Sequence, residues 1–351
     1  MQKSRFYATF CPHMSFFSPK LGIDLGTANT LVYIPGKGIV LNEPSIVAIS
    51  EYQNTILAIG SDAREMLGKS ADGVVAHRPM KDGVIADYRM TTAMLSHFIK
   101  KALGFWSFMK PEVMISVPAG VTSTQRRAVV EAALRAGAKK AHIVREPIVA
   151  AIGAGIPINE PTGHMVVDIG GGTTDVAVIS LGSIQACTSV QCAGNKIDHA
   201  ITVYLKKKHN LAIGDRTAEK IKIKIGSAVP MDEPDEIVVK GRDYVSGLPR
   251  AVTVTTNEIV DAIDDELRQI IDAIKAVLQD TLPELASDII DTGIVMTGGS
   301  SQLRNLPELV YRRTGVRAVL SEDSLYCVAK GIGIALNHLD QYHRALISKP
   351  F

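Results

Sequence analysis

The residues with the plainest chemistry are Asp168-Ile169-Gly170-Gly171-Gly172-Thr173-Thr174-Asp175. An apolar run, Met165-Val166-Val167, precedes them, and another, Val176-Ala177-Val178-Ile179, follows. The pattern predicts strand, tight glycine turn, strand. Lacking Cβ atoms, the three glycines let the backbone come close to a ligand. Several amides pointing one way make a cradle for phosphate. The threonines add hydroxyl donors. Asp168, at the end of a strand, offers the hard oxygen that suits a hydrated divalent cation.

The pattern occurs twice. Leu21-Gly22-Ile23-Asp24 is again an apolar strand ending in Asp. A Gly/Thr turn through Gly26, Thr27, Ala28 and Asn29 follows, then the apolar run Leu31-Val32-Tyr33-Ile34. Two Asp-x-Gly hairpins far apart suggest two similar half-molecules facing each other across a phosphate. A third glycine turn, Thr297-Gly298-Gly299-Ser300-Ser301, ends the strand predicted over Gly293–Met296. In α/β sheets that position is where ligands bind.

The chain has 351 residues, 46% hydrophobic and 21% charged, enough for two sizeable cores. A net charge of +2, with few aromatics and no base-reading motif, argues against a nucleic-acid partner. Cys11, Cys187, Cys192 and Cys327 show no paired spacing and read as free thiols. Cys187 and Cys192 near His199 do not match zinc-site spacing. No apolar run reaches the ~20 residues that span a bilayer, so any membrane contact lies on the surface. Met1–Pro19, basic and aromatic-rich, reads as a tail or a weak interfacial anchor, with Met14 as a possible start.

The positioning elements can be read in order. Ser45–Ser50 and Ile56–Ile59 are short strands, Asp62–Gly68 looks helical, and Gly73–Asp87 is expected to be an irregular connection. Thr91–Leu103 is an amphipathic helix stopped by Gly104. The loop after it, Phe105-Trp106-Ser107-Phe108-Met109-Lys110-Pro111, is either a lid tucked on the core or a wedge for a membrane interface. Thr122-Ser123-Thr124-Gln125 is a capping box for a helix to about Ala136. A strand at Ala141–Val144 leads to Arg145-Glu146-Pro147 and a small-residue helix. Strand, helix, strand, helix gives α/β character. Gly194-Asn195-Lys196-Ile197-Asp198 opens a further helix. Thr217–Gly226 carries both strand and helix signals. Glu236–Lys240 is a short strand, Asn257–Asp280 a long helix, and Ser324–Leu339 the last one.

The early Asp-Leu-Gly-Thr, the central Asp-Ile-Gly-Gly-Gly-Thr-Thr and the late Thr-Gly-Gly resemble the nucleotide-contact segments of the actin, sugar-kinase and heat-shock-chaperone ATPase superfamily. Four stretches are similar to the bacterial actins of the MreB/Mbl family: Leu25–Thr30, Gly36–Ser45, Arg78–Asp87 and Met165–Thr174. Asp175, Ile221–Lys224 and Val245–Arg250 lean toward the Mbl branch. The resemblance covers about residues 20–339.

The resemblance implies an α/β, actin-like (ribonuclease H-like) duplicated fold, with two domains that each carry a small inserted subdomain around a nucleotide cleft. It places a tail at 1–19, subdomain IA at 20–38, 80–150 and 325–345, and IB at 39–79. IIA falls at 151–191 and 251–324, and IIB at 192–250. It implies ATP and Mg²⁺ as cofactors. Thr27, Ala28 and Asn29, and Gly171, Gly172 and Thr173, match the two phosphate-binding segments. Glu219, Lys220, Ile221 and Lys222 match the adenosine-side helix, which favours helix over strand for Thr217–Gly226. Gly298, Gly299, Ser300 and Ser301 match the segment under the nucleotide. Asp24 and Asp168 match the acids that hold hydrated magnesium, and Glu146 the residue that orients attacking water. Phe105, Trp106 and Phe108 fall in the family's membrane-inserting loop. Ser300 replaces a usual third glycine, and Asn195 stands where Asp is common.

The expected activity is slow ATP hydrolysis coupled to assembly of filaments. These would lie on the inner face of the cell membrane in the cytoplasm and guide wall synthesis in a rod-shaped cell. The implied partners are further copies of the chain, the membrane surface, RodZ, MreC and MreD. A metabolic phosphotransferase, a chaperone ATPase and a non-hydrolysing scaffold are the competing readings. No catalytic Asp motif for a phosphotransferase stands out in the sequence.

Overall fold

A computed structural model describes residues 18–66, 73–339 and 342. Most of the tail read at Met1–Pro19, including Met14 and Cys11, lies outside them, as does the end of the helix expected to reach Gly68. In the first half, β1 (Lys20–Leu25), β2 (Asn29–Ile34) and β3 (Gly38–Pro44) form an antiparallel meander. A small sheet follows, made of β4 (Val47–Ser50), β5 (Thr55–Ile59) and, beyond α1 (Ser61–Met66), β6 (Val74–His77). The hairpin of β7 (Met80–Lys81) and β8 (Val84–Ile85) returns the chain to α2 (Tyr88–Leu103), β9 (Glu112–Val117), α3 (Ser123–Arg135) and β10 (Lys140–Arg145). The helix α4 (Glu146–Gly153) then leads to the second half.

There β11 (His164–Ile169), β12 (Thr174–Ser180) and β13 (Ser183–Val190) form another meander. After α5 (Gly194–His209) come β14 (Leu211–Ala212), α6 (Asp215–Ile225), β15 (Glu236–Asp243) and β16 (Pro249–Thr255), whose three strands make a separate small sheet. The chain closes with α7 (Thr256–Asp280), α8 (Pro283–Thr292), β17 (Ile294–Thr297), α9 (Leu306–Thr314), β18 (Ala318–Leu320) and α10 (Cys327–Asn337).

The duplication is exact in topology. The first large sheet runs β10-β9-β1-β2-β3 and the second β18-β17-β11-β12-β13. In each, the meander's first strand lies at the centre and pairs in parallel with a strand from later in the chain. That arrangement brings the C-terminal ends of β1 and β11, and so Asp24 and Asp168, to corresponding places in the two halves. Each half has its own apolar core. A third core lies between them, built from α4 and α10 with Met114 and Val144 of one sheet and Val166, Ala177 and Ile179 of the other. The two helices meet backbone to backbone. A Cβ at Gly153 would fall 1.8 Å from the Cys327 carbonyl oxygen, and one at Gly331 1.8 Å from that of Val149.

Several local expectations hold. Thr122 and Gln125 close a capping box on α3, and Gly104 ends α2 with positive φ. The stretch with mixed signals, Thr217–Gly226, is helical and starts at Asp215. Gly73–Asp87 differs: instead of an irregular connection it holds β6, paired with β4, and the β7–β8 hairpin. Val74 and Ala76, on one face of β6, pack against the small core of Ile46, Ala48 and Ala63. The last helix begins at Cys327 rather than Ser324, because Ser324–Tyr326 forms a tight 3₁₀ turn. Among the described residues, no helix is long and apolar enough to cross a membrane.

Candidate active site

The two Asp-Gly hairpins face each other at the floor of a cleft of about 450 Å³ between the halves. A Cβ on Gly171 would stand 2.7 Å from Cβ of Ala28, and one on Gly172 2.6 Å from Oγ1 of Thr27. Only glycine allows the loops to close on each other there. The third loop lies against them. Gly298, at φ +87, passes so near the Ile169 carbonyl oxygen that a Cβ would meet it at 2.3 Å. Ser300 Oγ donates to the Gly170 carbonyl at 2.7 Å, so the serine at this position knits the third loop to the second.

Carboxylates collect on the floor. Asp24 accepts from Ser116 Oγ at 3.0 Å, and Asp168 accepts from Thr297 Oγ1 at 2.7 Å. Glu146 is 8% exposed at the first turn of α4, with Pro147 behind it. Asp175 is buried and accepts from the Ala119 amide at 2.7 Å, a bond that joins the halves at the base of the cleft. Burial, and next the charge of Asp168, pushes Asp24 up to about 7. Burial raises Asp168 as well, against the pull of the Thr297 hydroxyl. Glu146 lies well above the usual range, first through burial and then through Asp175, Asp24 and Asp168. Acids held together at such cost are what a bound cation relieves. Asp24 and Asp168, with oxygen donors only, fit a hydrated Mg²⁺ rather than a soft metal.

The structure brings most of the sequence-predicted residues to this cleft. Asp24, Thr27, Ala28, Asn29, Glu146, Asp168, Gly171, Gly172, Thr173, Glu219, Lys222, Gly298, Gly299 and Ser300 all line it. Three others lie elsewhere. The Ile221 side chain is in the core of the second half, because it lies on the inner face of α6. Ser301 is buried and donates to the Gly298 carbonyl, shaping the loop from within. Lys220 faces a separate cavity at the cleft mouth.

Sequence reasoning missed Gly83 and Asp198. The Gly83 amide donates to Thr27 Oγ1 at 2.9 Å, taking a lone pair of that hydroxyl and leaving its proton for another acceptor. Asp198 pairs with Lys222 at 2.8 Å on the cleft wall. The signal for Gly83 was present in Lys81-Asp82-Gly83, an Asp-Gly hairpin turn with positive φ at both residues.

Phe105, Trp106 and Phe108 do not line the cleft and lie on the turn after α2. They are 85%, 53% and 71% exposed; Phe105 meets Trp106 and Phe108 edge-on, and Trp106 and Phe108 lie tilted against each other. A tucked lid is therefore not what this loop forms. Among the described residues Cys187, Cys192 and Cys327 are free, and no cluster of potential metal ligands includes them.

The family model for MreB/Mbl proteins matches residues 18–344. The cell shape-determining protein Mbl of Bacillus subtilis is 47% identical over 332 residues, covering 95% of this chain and all of that protein. The cell shape-determining protein MreB of Escherichia coli is 49% identical over 339 residues, covering 95% and 97%. Among solved structures, MreB5 of Spiroplasma citri bound to ADP superposes with a TM-score of 0.88 at 37% identity, over 93% of this chain and 98% of that one. A second structure of that protein is bound to AMPPNP. A double-helical filament of MamK, 23% identical with a TM-score of 0.75, shares the fold.

Proposed function

Because this chain belongs to the MreB/Mbl family of actin-like proteins, we propose that it binds ATP with Mg²⁺ in the cleft, hydrolyses it slowly and assembles into filaments on the inner face of the cell membrane. The observation that carries the reading is the apposition of the two glycine loops above the Asp24–Asp168 pair, with Glu146 beside them. That relatives at 37% identity are solved with ADP and AMPPNP supports it. So do the names of the curated relatives, which are cell shape-determining proteins.

In this reading Thr27, Ala28 and Asn29 bind the phosphates from one half, and Gly171, Gly172 and Thr173 from the other. Asp24 and Asp168 would hold Mg²⁺ through its waters, and a bound ion would supply positive charge beside the phosphates. Glu146 orients the attacking water and takes its proton. Glu219 and Lys222 face the nucleoside side, and Gly298–Ser300 floor it.

The output is assembly that directs wall elongation and keeps a rod shape, with RodZ, MreC and MreD as partners. Phe105, Trp106 and Phe108 anchor the filament at the lipid interface, where aromatic side chains are favoured. Subdomains IA, IB, IIA and IIB are the moving parts. Pelleting on liposomes with ATP, with ADP and without nucleotide, checked by negative-stain microscopy, tests the reading. ATP-dependent filaments on the lipid are expected. Soluble monomer under every condition would overturn it.

A further inference from the structure

The mouth of the cleft holds a feature that no motif announces. A second cavity, of about 520 Å³, opens there between α1 of the first half and α6 of the second. Arg64 and Glu65 stand on one wall, and Arg216, Glu219 and Lys220 on the other. Charges of opposite sign thus face each other across the opening. Arg64 Nη2 meets Glu219 Oε2 at 2.9 Å. This ion pair joins α1 to α6 across the opening. Glu219 also lines the nucleotide cleft itself, so the carboxylate that faces the cleft is held from the opposite side.

The support of Arg64 is firm. The first residue of α1, Ser61, donates to Glu43 Oε2 through both its amide, at 2.8 Å, and its hydroxyl, at 2.6 Å. Lys101, in the last turn of α2, holds the other oxygen of Glu43 at 2.6 Å. The helix carrying Arg64 is thereby tied to β3 and to α2, and the guanidinium reaches across the opening from a fixed base.

We propose that Arg64 is a nucleotide-retention residue: its bridge to Glu219 closes the mouth of the cleft behind a bound nucleotide and slows the nucleotide's escape. The proposal rests on the nucleotide reading given above. The two side chains are 37% and 41% exposed, so the bridge has the modest strength of a surface pair and is screened by salt. A contact of that strength can open in every cycle.

The test is dissociation of a fluorescent N-methylanthraniloyl-ADP from the full chain with Mg²⁺, chased by excess ADP in stopped flow. Arg64→Gln is expected to release the probe about two- to five-fold faster than the unaltered chain, the range an exposed ion pair supports. Arg64→Lys, which keeps the charge, is expected to stay within about two-fold of the unaltered chain. In about 0.5 M salt the gap between Arg64→Gln and the unaltered chain is expected to close, because the Debye length falls to a few ångström. Equal release rates for Arg64→Gln and the unaltered chain would overturn the proposal, as would a gap that salt does not narrow. Failure of the unaltered chain to bind the probe at all would instead remove the nucleotide reading, and this proposal with it.

Discussion

Gly172 and Thr27 belong to opposite halves of the molecule, yet a Cβ on Gly172 would lie 2.6 Å from the Thr27 hydroxyl oxygen and 2.9 Å from its Cβ. Thr27 is short and buried. Gly172→Ala is therefore expected to push the two phosphate loops apart. ATP affinity should fall at least about ten-fold, corresponding to about 1.4 kcal/mol or more. Isothermal titration with a non-hydrolysable analogue measures it. Unchanged affinity would show that the loops do not close on the ligand as described.

The hydroxyl of Thr27 is also the acceptor for the Gly83 amide. Thr27→Val keeps the shape and removes the acceptor, leaving that N–H unpaired in a partly buried setting. A loss of about 1–3 kcal/mol in stability is expected from denaturant unfolding. Thr27→Ser should retain most of the stability.

The acid cluster gives a pH dependence with a definite sign. Asp24 rises from 3.8 to about 7, through burial and then Asp168, and Asp175 also reaches about 7, chiefly through burial. The folded, metal-free chain therefore holds protons that the unfolded chain releases near pH 4. The stability these groups contribute is fully present below about pH 4 and is lost as the pH rises through about 7. The melting temperature of the metal-free chain should fall over that range, and Asp24→Asn should flatten the fall while weakening Mg²⁺-dependent nucleotide binding. A melting temperature that rises between about pH 5 and 7, with the same slope in Asp24→Asn, would contradict the assignment.

The aromatic turn makes a separable prediction. Phe105, Trp106 and Phe108 touch one another and water more than they touch the core. Changing all three to Ser should leave thermal stability almost untouched and abolish co-sedimentation with liposomes. Retained ATP binding serves as the control. Persistent liposome binding would move the anchor elsewhere.

The phosphate loops were legible because their chemistry is local: an Asp at a strand's end followed by glycines needs no distant partner to be recognised. The doubled hairpin also announced the doubled sheet. What escaped has non-local causes. Arg64 finds its partner 155 residues away, and nothing in the sequence around either residue points to the other. Ile221 and Ser301 sit inside matching motifs, but the faces of α6 and of the third loop turn their side chains into the protein. β16 begins at a proline and buries only Val254, so it shows no strong period. β6 is short and becomes a strand only through its pairing with β4.

The most direct test of the central claim is phosphate release from ATP by the unaltered chain and by Glu146→Gln, with nucleotide affinity measured on both. Glu146 is the one carboxylate at the first turn of α4, set beside Asp24 and Asp168 without being assigned to the metal. The variant is expected to bind ATP as the unaltered chain does and to release phosphate at least about 100-fold more slowly, the scale on which a positioned general base acts. Equal rates of release with equal affinity would contradict the account, because the group placed to orient water would then have no part in the reaction.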